Sequence, residues 1–184
     1  MTNFFKTFRL VFFIIFSQPI FASEMTKMNA YQFSFTSING ETINLSDYKG
    51  KVIMIVNTAS QCGLTPQYEQ LEMIHNLFKD KDFVLIGVPC GDFANQEYDN
   101  SQKIKDFTSE EYNITFILTE KNSVKGKNAH PFYEWANKQA GFLGSPKWNF
   151  HKYLIDKNGD FAAWYSSTTS PQSVKIINKI EELL

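Results

Sequence analysis

The chain has 184 residues, of which 18 are basic and 19 are acidic, so its formal net charge is −1. This balance leaves no basic excess to neutralise phosphates, which disfavours nucleic acid as a partner. Two cysteines and three scattered histidines make a poor set of metal ligands, so we expect neither a metal site nor a bound cofactor.

The first 22 residues have the layout of a secretory signal peptide. Lys6 and Arg9 give a basic start, an apolar run follows at 10–16, and small residues precede the predicted cleavage after Ala22. The run is too short to cross a bilayer, which favours a cleaved signal over an uncleaved anchor. Cleavage would remove two basic and no acidic residues and leave one domain at 23–184 with a net charge of −3. We therefore expect a secreted or periplasmic protein without a stable membrane span, in a compartment where disulfides persist.

The predicted elements begin with an N-terminal β-hairpin, because apolar and polar residues alternate on both sides of the Asn39-Gly40 turn. Two continuous apolar runs, at 51–56 and 83–88, predict strands that are buried on both faces. Between them, Thr65 and Pro66 predict the N-cap and the first turn of a helix. Apolar residues then recur at helical spacing, namely Tyr68, Leu71, Ile74 and Phe78. The order strand, helix, strand predicts a right-handed parallel βαβ unit.

The second half of the chain predicts a helix after Asn100, a strand at 115–118 and a helix at 130–139. Strands at 153–155 and 161–165 flank a glycine turn, which predicts an antiparallel hairpin. A last helix is predicted over 171–184, with a core face made of Val174, Ile177, Ile180 and Leu184. These elements together predict an α/β fold, a thioredoxin-like sandwich with a central mixed β-sheet flanked by helices.

Cys62 lies beyond the carboxyl end of the first buried strand and just before the predicted helix. Open α/β sheets bind ligands at that edge, and a helix N-terminus there lowers the pKa of a thiol. The neighbours Ser60, Gln61 and Gly63 favour an exposed, reactive thiolate over a buried, inert cysteine. No second cysteine follows at C-x-x-C spacing, so dithiol exchange within one such motif is excluded.

The segment NTASQCGLTPQYEQL at 57–71 resembles the catalytic segment of the glutathione peroxidase family. Two further blocks, VPCGDFANQE at 88–97 and KWNFHKYLIDKNG at 147–159, are similar to blocks of that family in the same order. The resemblance covers nearly all of the chain after residue 22. It implies a thiol peroxidase that reduces hydrogen peroxide, organic hydroperoxides such as lipid hydroperoxides, or both. The catalytic residues that it implies are Cys62, Gln96, Trp148 and Asn149.

The residue types of this implied site suit its chemistry. Gln96, Trp148 and Asn149 carry neutral N–H donors, which can stabilise a thiolate and then the leaving oxygen of a peroxide without titrating. Attack of sulfur on the O–O bond would give a sulfenic acid at Cys62. The protein then needs a thiol donor, which we expect to be a thioredoxin-like protein, a disulfide oxidoreductase or glutathione. Glutathione is the weakest of the three, because the chain after Arg9 has no arginine to bind its carboxylates.

The sequence identifies less clearly a resolving cysteine, that is, a second cysteine that would form a disulfide with the oxidised Cys62. Relatives that use thioredoxin usually carry it in the helix after the glutamine block, where this chain has Thr108. Cys90 is the remaining candidate, and relatives from the endoplasmic reticulum retain a cysteine at the matching place. A resolving role and a packing role are both open for Cys90, since a disulfide needs Cα atoms about 4.4–6.8 Å apart. Asp92 replaces a glutamine of the family and, if close to Cys90, would raise the pKa of that thiol.

Three further expectations concern surfaces. The stretch 136–147 is short where tetrameric relatives carry an interface loop, which predicts a monomer with an open site. Exposed apolar residues around this site could admit bulky hydroperoxides, although scattered exposed apolar residues are normal; the candidates are Phe93, Phe142, Leu143 and Trp148. His151 follows the third block, and we expect its side chain to be exposed.

Two other classes of function remain open from the sequence. One is an exported thiol-disulfide exchange protein that uses Cys62 and Cys90 to oxidise clients. The other is a redox sensor or binding module with a static disulfide between the same two residues.

Overall fold

The computed structural model describes residue 1 and residues 28–184. The predicted signal peptide at 1–22 therefore falls, apart from its first residue, outside the described residues. Along the described part of the chain, no helix combines the length and the apolar character that crossing a membrane requires.

The predicted N-terminal hairpin is confirmed but is shorter than its sequence pattern. Strands β1 (Ser34–Thr36) and β2 (Thr42–Asn44) pair antiparallel, with Phe35 opposite Ile43. Residues on both sides of the hairpin form 3₁₀ turns instead, at Ala30–Gln32 and Leu45–Tyr48. The first of these turns forms because the Asn29 side chain accepts a hydrogen bond from the backbone N–H of Tyr31.

The predicted βαβ unit is present at the centre of the molecule. Strand β3 (Val52–Thr58), helix α1 (Gln67–Phe78) and strand β4 (Phe83–Pro89) follow one another, and the two strands pair in parallel. Every residue of both strands is buried, as their continuous apolar runs predict. Because parallel strands end at the same edge, the loops after β3 and β4 lie side by side.

The remaining elements complete one five-stranded sheet in the order β5-β4-β3-β6-β7. Strand β5 pairs in parallel with β4. Strand β6 pairs antiparallel with β3, and β7 pairs antiparallel with β6, so the sheet is mixed as predicted. The elements after β4 are α2 (Ser101–Tyr112), β5 (Ile117–Leu118), α3 (Pro131–Gly144), β6 (Lys152–Ile155), β7 (Phe161–Tyr165) and α4 (Val174–Leu183).

The sheet separates two apolar cores because successive residues of a strand point to opposite faces. We call the core beneath α1 and α4 the α1 core and the core beneath α3 and the hairpin the α3 core. Met54 and Val56 of β3 enter the α1 core, whereas Ile53 and Ile55 enter the α3 core. The helices contribute Leu71, Ile74, Ile176 and Ile180 to the first and Phe132, Tyr133, Trp135 and Ala136 to the second.

The predicted last helix is partly wrong in its start and its core face. Helix α4 begins at Val174, after Ser173 in the extended conformation, and not at 171. Val174 is 72% exposed, while Ile176 and Ile180, one helical turn apart, are buried. Ile177, Ile180 and Leu184 pack against the α1 core as predicted, so the predicted face is wrong at Val174 and omits Ile176.

Candidate active site

The loop between β3 and α1 is held closed by Thr65. The Thr65 hydroxyl accepts a hydrogen bond from the backbone N–H of Cys62 at 3.0 Å. The same hydroxyl lies 2.6 Å from the carbonyl oxygen of Cys62 and 2.9 Å from that of Ala59. Thr65 is therefore not the N-cap of α1, as its position suggested, because its hydroxyl fixes the cysteine loop and the helix begins at Gln67.

Cys62 is nearly buried, which corrects the expectation of an exposed thiol. Only 7% of the residue is accessible, because it packs into the α1 core with residues such as Tyr68 and Phe150. The backbone N–H of Leu64 donates to its Sγ atom at 3.4 Å. An N–H group aimed at sulfur stabilises negative charge that develops there.

The segment that carries Gln96 is attached directly to the cysteine loop. The carbonyl oxygen of Gln96 accepts a hydrogen bond from the backbone N–H of Gln61 at 2.9 Å. Ala94 and Asn95, immediately before it, are both in the left-handed region, with φ of 55° and 51°. Non-glycine residues rarely occupy that region, and such strain concentrates at functional sites. This turn places Gln96 next to the residue that precedes Cys62.

Asn149 and Gln96 contact each other through their side chains. The Nδ2 atom of Asn149 donates to Oε1 of Gln96 at 3.0 Å, and Asn149 is completely buried. Phe150, the next residue, has φ of 66°, a strained value for a bulky residue. The third sequence block is thereby bent so that the amide of Asn149 points toward the glutamine segment.

Trp148 lies at the surface of the same cluster. Its side chain is 39% exposed, and its ring lies 5.9 Å from that of Phe93, centroid to centroid. The structure therefore joins Gln96 to Asn149 by a side-chain hydrogen bond and joins Gln96 to the Cys62 loop through the backbone. Trp148 directly precedes Asn149 in the chain, and its exposed ring lies at the surface next to this pair.

Asn57 links the third block to the strand that leads to Cys62, a role that the sequence analysis missed. Its Nδ2 donates to the carbonyl oxygen of Trp148 at 3.2 Å, and its Oδ1 accepts from the backbone N–H of His151 at 3.0 Å. Asn57 is completely buried at the end of β3. Both Asn57 and Thr65 lie in the segment 57–71 that resembles the family, and this position could have indicated their structural roles.

Cys90 follows the end of β4, as predicted, but points to the other face of the sheet. It is completely buried in the α3 core, whereas Cys62 belongs to the α1 core, and both residues are free thiols. Burial raises the pKa of Cys90 to about 12, and the nearby Asp92 carboxylate contributes to the rise. Asp92 is thus close, as expected, but its carboxylate is held by the hydroxyl of Ser123 and the backbone N–H of Val124.

The surroundings of His151 and Thr108 can be compared with what the sequence predicts for each. His151 is only 3% exposed, which corrects the expectation of exposure, because its ring stacks on Trp164 with centroids 5.6 Å apart. Burial lowers the pKa of His151 to about 4, so the imidazole is neutral near pH 7. Thr108, at the place of the usual resolving cysteine, is buried in α2 and donates to the carbonyl oxygen of Ile104.

The chemistry available at this edge is that of one thiol whose loop is joined to a segment that carries neutral donors. Two amide side chains and an indole can stabilise charge without taking up a proton. In the part of the chain that the structure describes, no group of three or more His, Cys, Asp or Glu residues could hold a metal ion.

Comparison with known proteins places the chain in one family. The family model for glutathione peroxidase matches residues 30–137. A glutathione peroxidase of Lactococcus lactis is 43% identical over 159 residues, which cover 85% of this chain and 100% of that protein. The hydroperoxy fatty acid reductase gpx1 of Synechocystis is 42% identical over 162 residues, or 84% of this chain and 95% of that one.

The fold is shared more widely than the family. A thiol:disulfide interchange protein of the thioredoxin family from Chlorobium tepidum superposes with a TM-score of 0.62 at 13% identity, covering 82% of this chain and 92% of that one. The predicted thioredoxin-like fold is therefore confirmed. On the family match, the chain belongs to the glutathione peroxidase family.

Proposed function

We propose that this protein is a thiol peroxidase in which Cys62 reduces hydrogen peroxide and organic hydroperoxides. The thiolate sulfur attacks one peroxide oxygen, the O–O bond breaks, and the second oxygen leaves as hydroxide or alkoxide and takes up a proton. Sulfur is oxidised to a sulfenic acid and the peroxide is reduced to water or an alcohol. The observation that carries the proposal is the partly buried Asn149–Gln96 amide pair, which the backbone of Gln96 joins to the loop of Cys62.

In this mechanism the neutral donors stabilise first the Cys62 thiolate and then the leaving oxygen of the peroxide. The Leu64 N–H already faces the sulfur, and the amides of Gln96 and Asn149 with the indole of Trp148 supply further N–H groups. As the O–O bond breaks, negative charge moves from sulfur to the leaving oxygen, and donors placed beforehand stabilise it without reorganising. The left-handed residues before Gln96 and after Asn149 hold these donors in place.

The sulfenic acid is then reduced by a thiol donor. Two thiol groups are required, since the first forms a mixed disulfide with Cys62 and releases water, and the second displaces Cys62 from it. Cys90 can supply the first thiol only after a local rearrangement, because it is buried on the opposite face of the sheet. Cys62 keeps 7% of its surface accessible whereas Cys90 has none, so we favour an external donor, a thioredoxin-like protein or a disulfide oxidoreductase.

The setting proposed for this activity is the periplasm or the extracellular space, with the protein as a monomer. The basic and apolar pattern of residues 1–22 supports export. The short stretch 136–147 supports a monomer, as it leaves little chain for an interface loop.

Steady-state peroxide consumption with different donors tests the proposal and separates it from its rivals. We expect continuous turnover with a thioredoxin-like donor, and none for Cys62→Ser under the same conditions. One stoichiometric burst without turnover would instead support a redox sensor. Oxidation of a reduced client protein that outpaces donor turnover would support a thiol-disulfide exchange protein.

A further inference from the structure

Two adjacent residues of the glutamine segment meet two adjacent residues of the cysteine loop. The backbone N–H of Gln61 donates to the carbonyl oxygen of Gln96 at 2.9 Å. At the neighbouring pair, the carboxyl of Glu97 lies beside Ser60, whose hydroxyl and backbone N–H both favour its ionised form. A single hydrogen bond lets two segments rotate about it, whereas a second contact fixes their relative orientation. That orientation matters here, because Cys62 is on one segment and the amide of Gln96 is on the other.

The carboxyl of Glu97 is buried, although acidic side chains are almost never fully buried without partners. Only 3% of the residue is accessible, and its Oε1 atom accepts a hydrogen bond from the backbone N–H of Tyr98 at 2.9 Å. Burial raises the pKa of this carboxyl, while the hydroxyl of Ser60 and the charge of Lys121 act against the rise. Burial, together with the charge of Glu97, also raises the pKa of Tyr68 on α1. Protein groups more than water therefore stabilise this carboxyl, and two of them belong to Ser60.

The second oxygen of this carboxyl and the hydroxyl of Ser60 are available to each other. Within the described chain, neither the Oε2 atom of Glu97 nor the Oγ atom of Ser60 has a hydrogen-bond partner at standard distance, and both atoms are buried. A buried polar group without a partner costs about 1–3 kcal/mol. An acceptor and a donor that lie side by side and lack other partners reduce this cost by pairing, which draws Ser60 toward Glu97.

We propose that Glu97 is a positioning residue of the candidate active site, which holds Ser60 and thereby sets the position of the Cys62 sulfur relative to the amide of Gln96. The inference rests on the proposed peroxidase function and adds a residue that acts through the cysteine loop. Without Glu97, the thiol and the amide donors are all present but are no longer fixed relative to each other. The reaction with peroxide should then slow far more than alkylation of the thiol, because only the peroxide reaction develops charge on a leaving oxygen.

The ratio of two rate constants of Cys62 tests this role. The second-order rate constants with hydrogen peroxide and with iodoacetamide are measured by rapid mixing, and mass spectrometry identifies the alkylated residue. We expect Glu97→Ala to lower the peroxide rate constant about tenfold and the iodoacetamide rate constant by less than about twofold. Glu97→Gln should stay within about threefold of the parent protein in both reactions. Its amide keeps an oxygen for the backbone N–H of Tyr98 and offers an N–H group to the hydroxyl of Ser60.

Ser60→Ala tests the same contact from the other side with a smaller change. It should also lower the ratio, and the double variant with Glu97→Ala should lose no more than Glu97→Ala alone, because both residues act through one contact. Thr58→Val is the matched control, since the Thr58 hydroxyl is also buried without a partner in the described chain but faces Tyr68. This variant should keep the ratio of the parent protein.

Equal losses in both reactions for Glu97→Ala, or losses that multiply in the double variant, would overturn the inference and leave the peroxidase function intact. A ratio lowered just as much by Thr58→Val would overturn it as well. Failure of the proposed function itself would show differently, as an absence of reaction with hydrogen peroxide in the parent protein.

Discussion

At the scale of single residues, the proposed mechanism supplies Cys62 with hydrogen-bond donors that cannot titrate. The loop N–H groups and the amides of Gln96 and Asn149 keep their donors at any pH at which the protein is folded. A cationic side chain would stabilise the thiolate more strongly, but only at a pH at which it carries its proton. The stabilisation that neutral donors provide does not depend on their own protonation.

Removal of either amide should slow the reaction of Cys62 with peroxide. We expect Gln96→Ala and Asn149→Ala each to lower the second-order rate constant about 100-fold, as loss of one preorganised donor does elsewhere. The double variant should lose less than the product of the two, because the amides share a hydrogen bond. Rapid-mixing measurements of thiol loss give all three values, and independent effects of the two residues would contradict the shared role.

Replacement of Cys90 separates its packing role from a resolving role. With an external thiol donor, Cys90→Ala should keep most of the peroxide turnover and lower the free energy of unfolding by about 1 kcal/mol, since the change leaves a small cavity in the α3 core. Turnover with the thioredoxin-like donor and urea unfolding are measured on the same preparation. Turnover that stops after one equivalent of peroxide would establish Cys90 as the resolving cysteine.

At the scale of elements, the loop between β3 and α1 is the part that sequence patterns describe least well. The strands on either side, at 51–56 and 83–88, are evident from their apolar runs, and α1 is evident from its spacing. The nearly buried state of Cys62 is not, since the core that includes it also takes in residues far along the chain, such as Phe150, which is 88 residues further on. Likewise, a hydroxyl residue before a proline is typical of an N-cap. Only the folded loop shows that the Thr65 hydroxyl accepts instead from the backbone N–H of Cys62, three residues earlier in the chain.

The loop should therefore be sensitive to Thr65. Thr65→Val keeps the shape of the side chain but leaves the buried Cys62 N–H without its acceptor, which should cost about 1–3 kcal/mol in the free energy of unfolding. The rate constant of Cys62 with peroxide should fall as the loop loosens, while Thr65→Ser should retain most of both properties. Equal stability and rate for Thr65→Val and the parent protein would show that the hydroxyl does not hold the loop.

At the scale of the whole molecule, Lys152 joins three parts of the fold around the α1 core. Its ammonium lies in β6, completely buried, and donates to Oε1 of Gln67 at 2.6 Å and to the carbonyl oxygen of Thr169 at 2.7 Å. Gln67 in turn donates to the carbonyl oxygen of Ser167. The first residue of α1 is thus fixed to the chain after β7. A lysine inside the core is not predictable from the residue pattern, because lysine is almost never fully buried unless it has partners.

Burial of this cation predicts a stability that rises with pH. Burial lowers the pKa of Lys152 to about 7 from 10.5, so above about pH 7 the folded state releases a proton that the unfolded state keeps. The penalty for the buried charge is complete below pH 7 and fades as the pH rises, by about 3 kcal/mol at pH 9. Urea unfolding at pH 6, 7, 8 and 9 should show this rise, and Lys152→Met should remove it. Parallel pH profiles for the two proteins would contradict the assignment.

The most direct test of the central claim is chemical trapping of Cys62 after one equivalent of hydrogen peroxide, with a reagent that labels sulfenic acids. Mass spectrometry should find the label on Cys62 in the parent protein, find none in Cys62→Ser, and find peroxide left unconsumed in that variant. Peroxide consumed by Cys62→Ser at the rate of the parent protein would contradict the account.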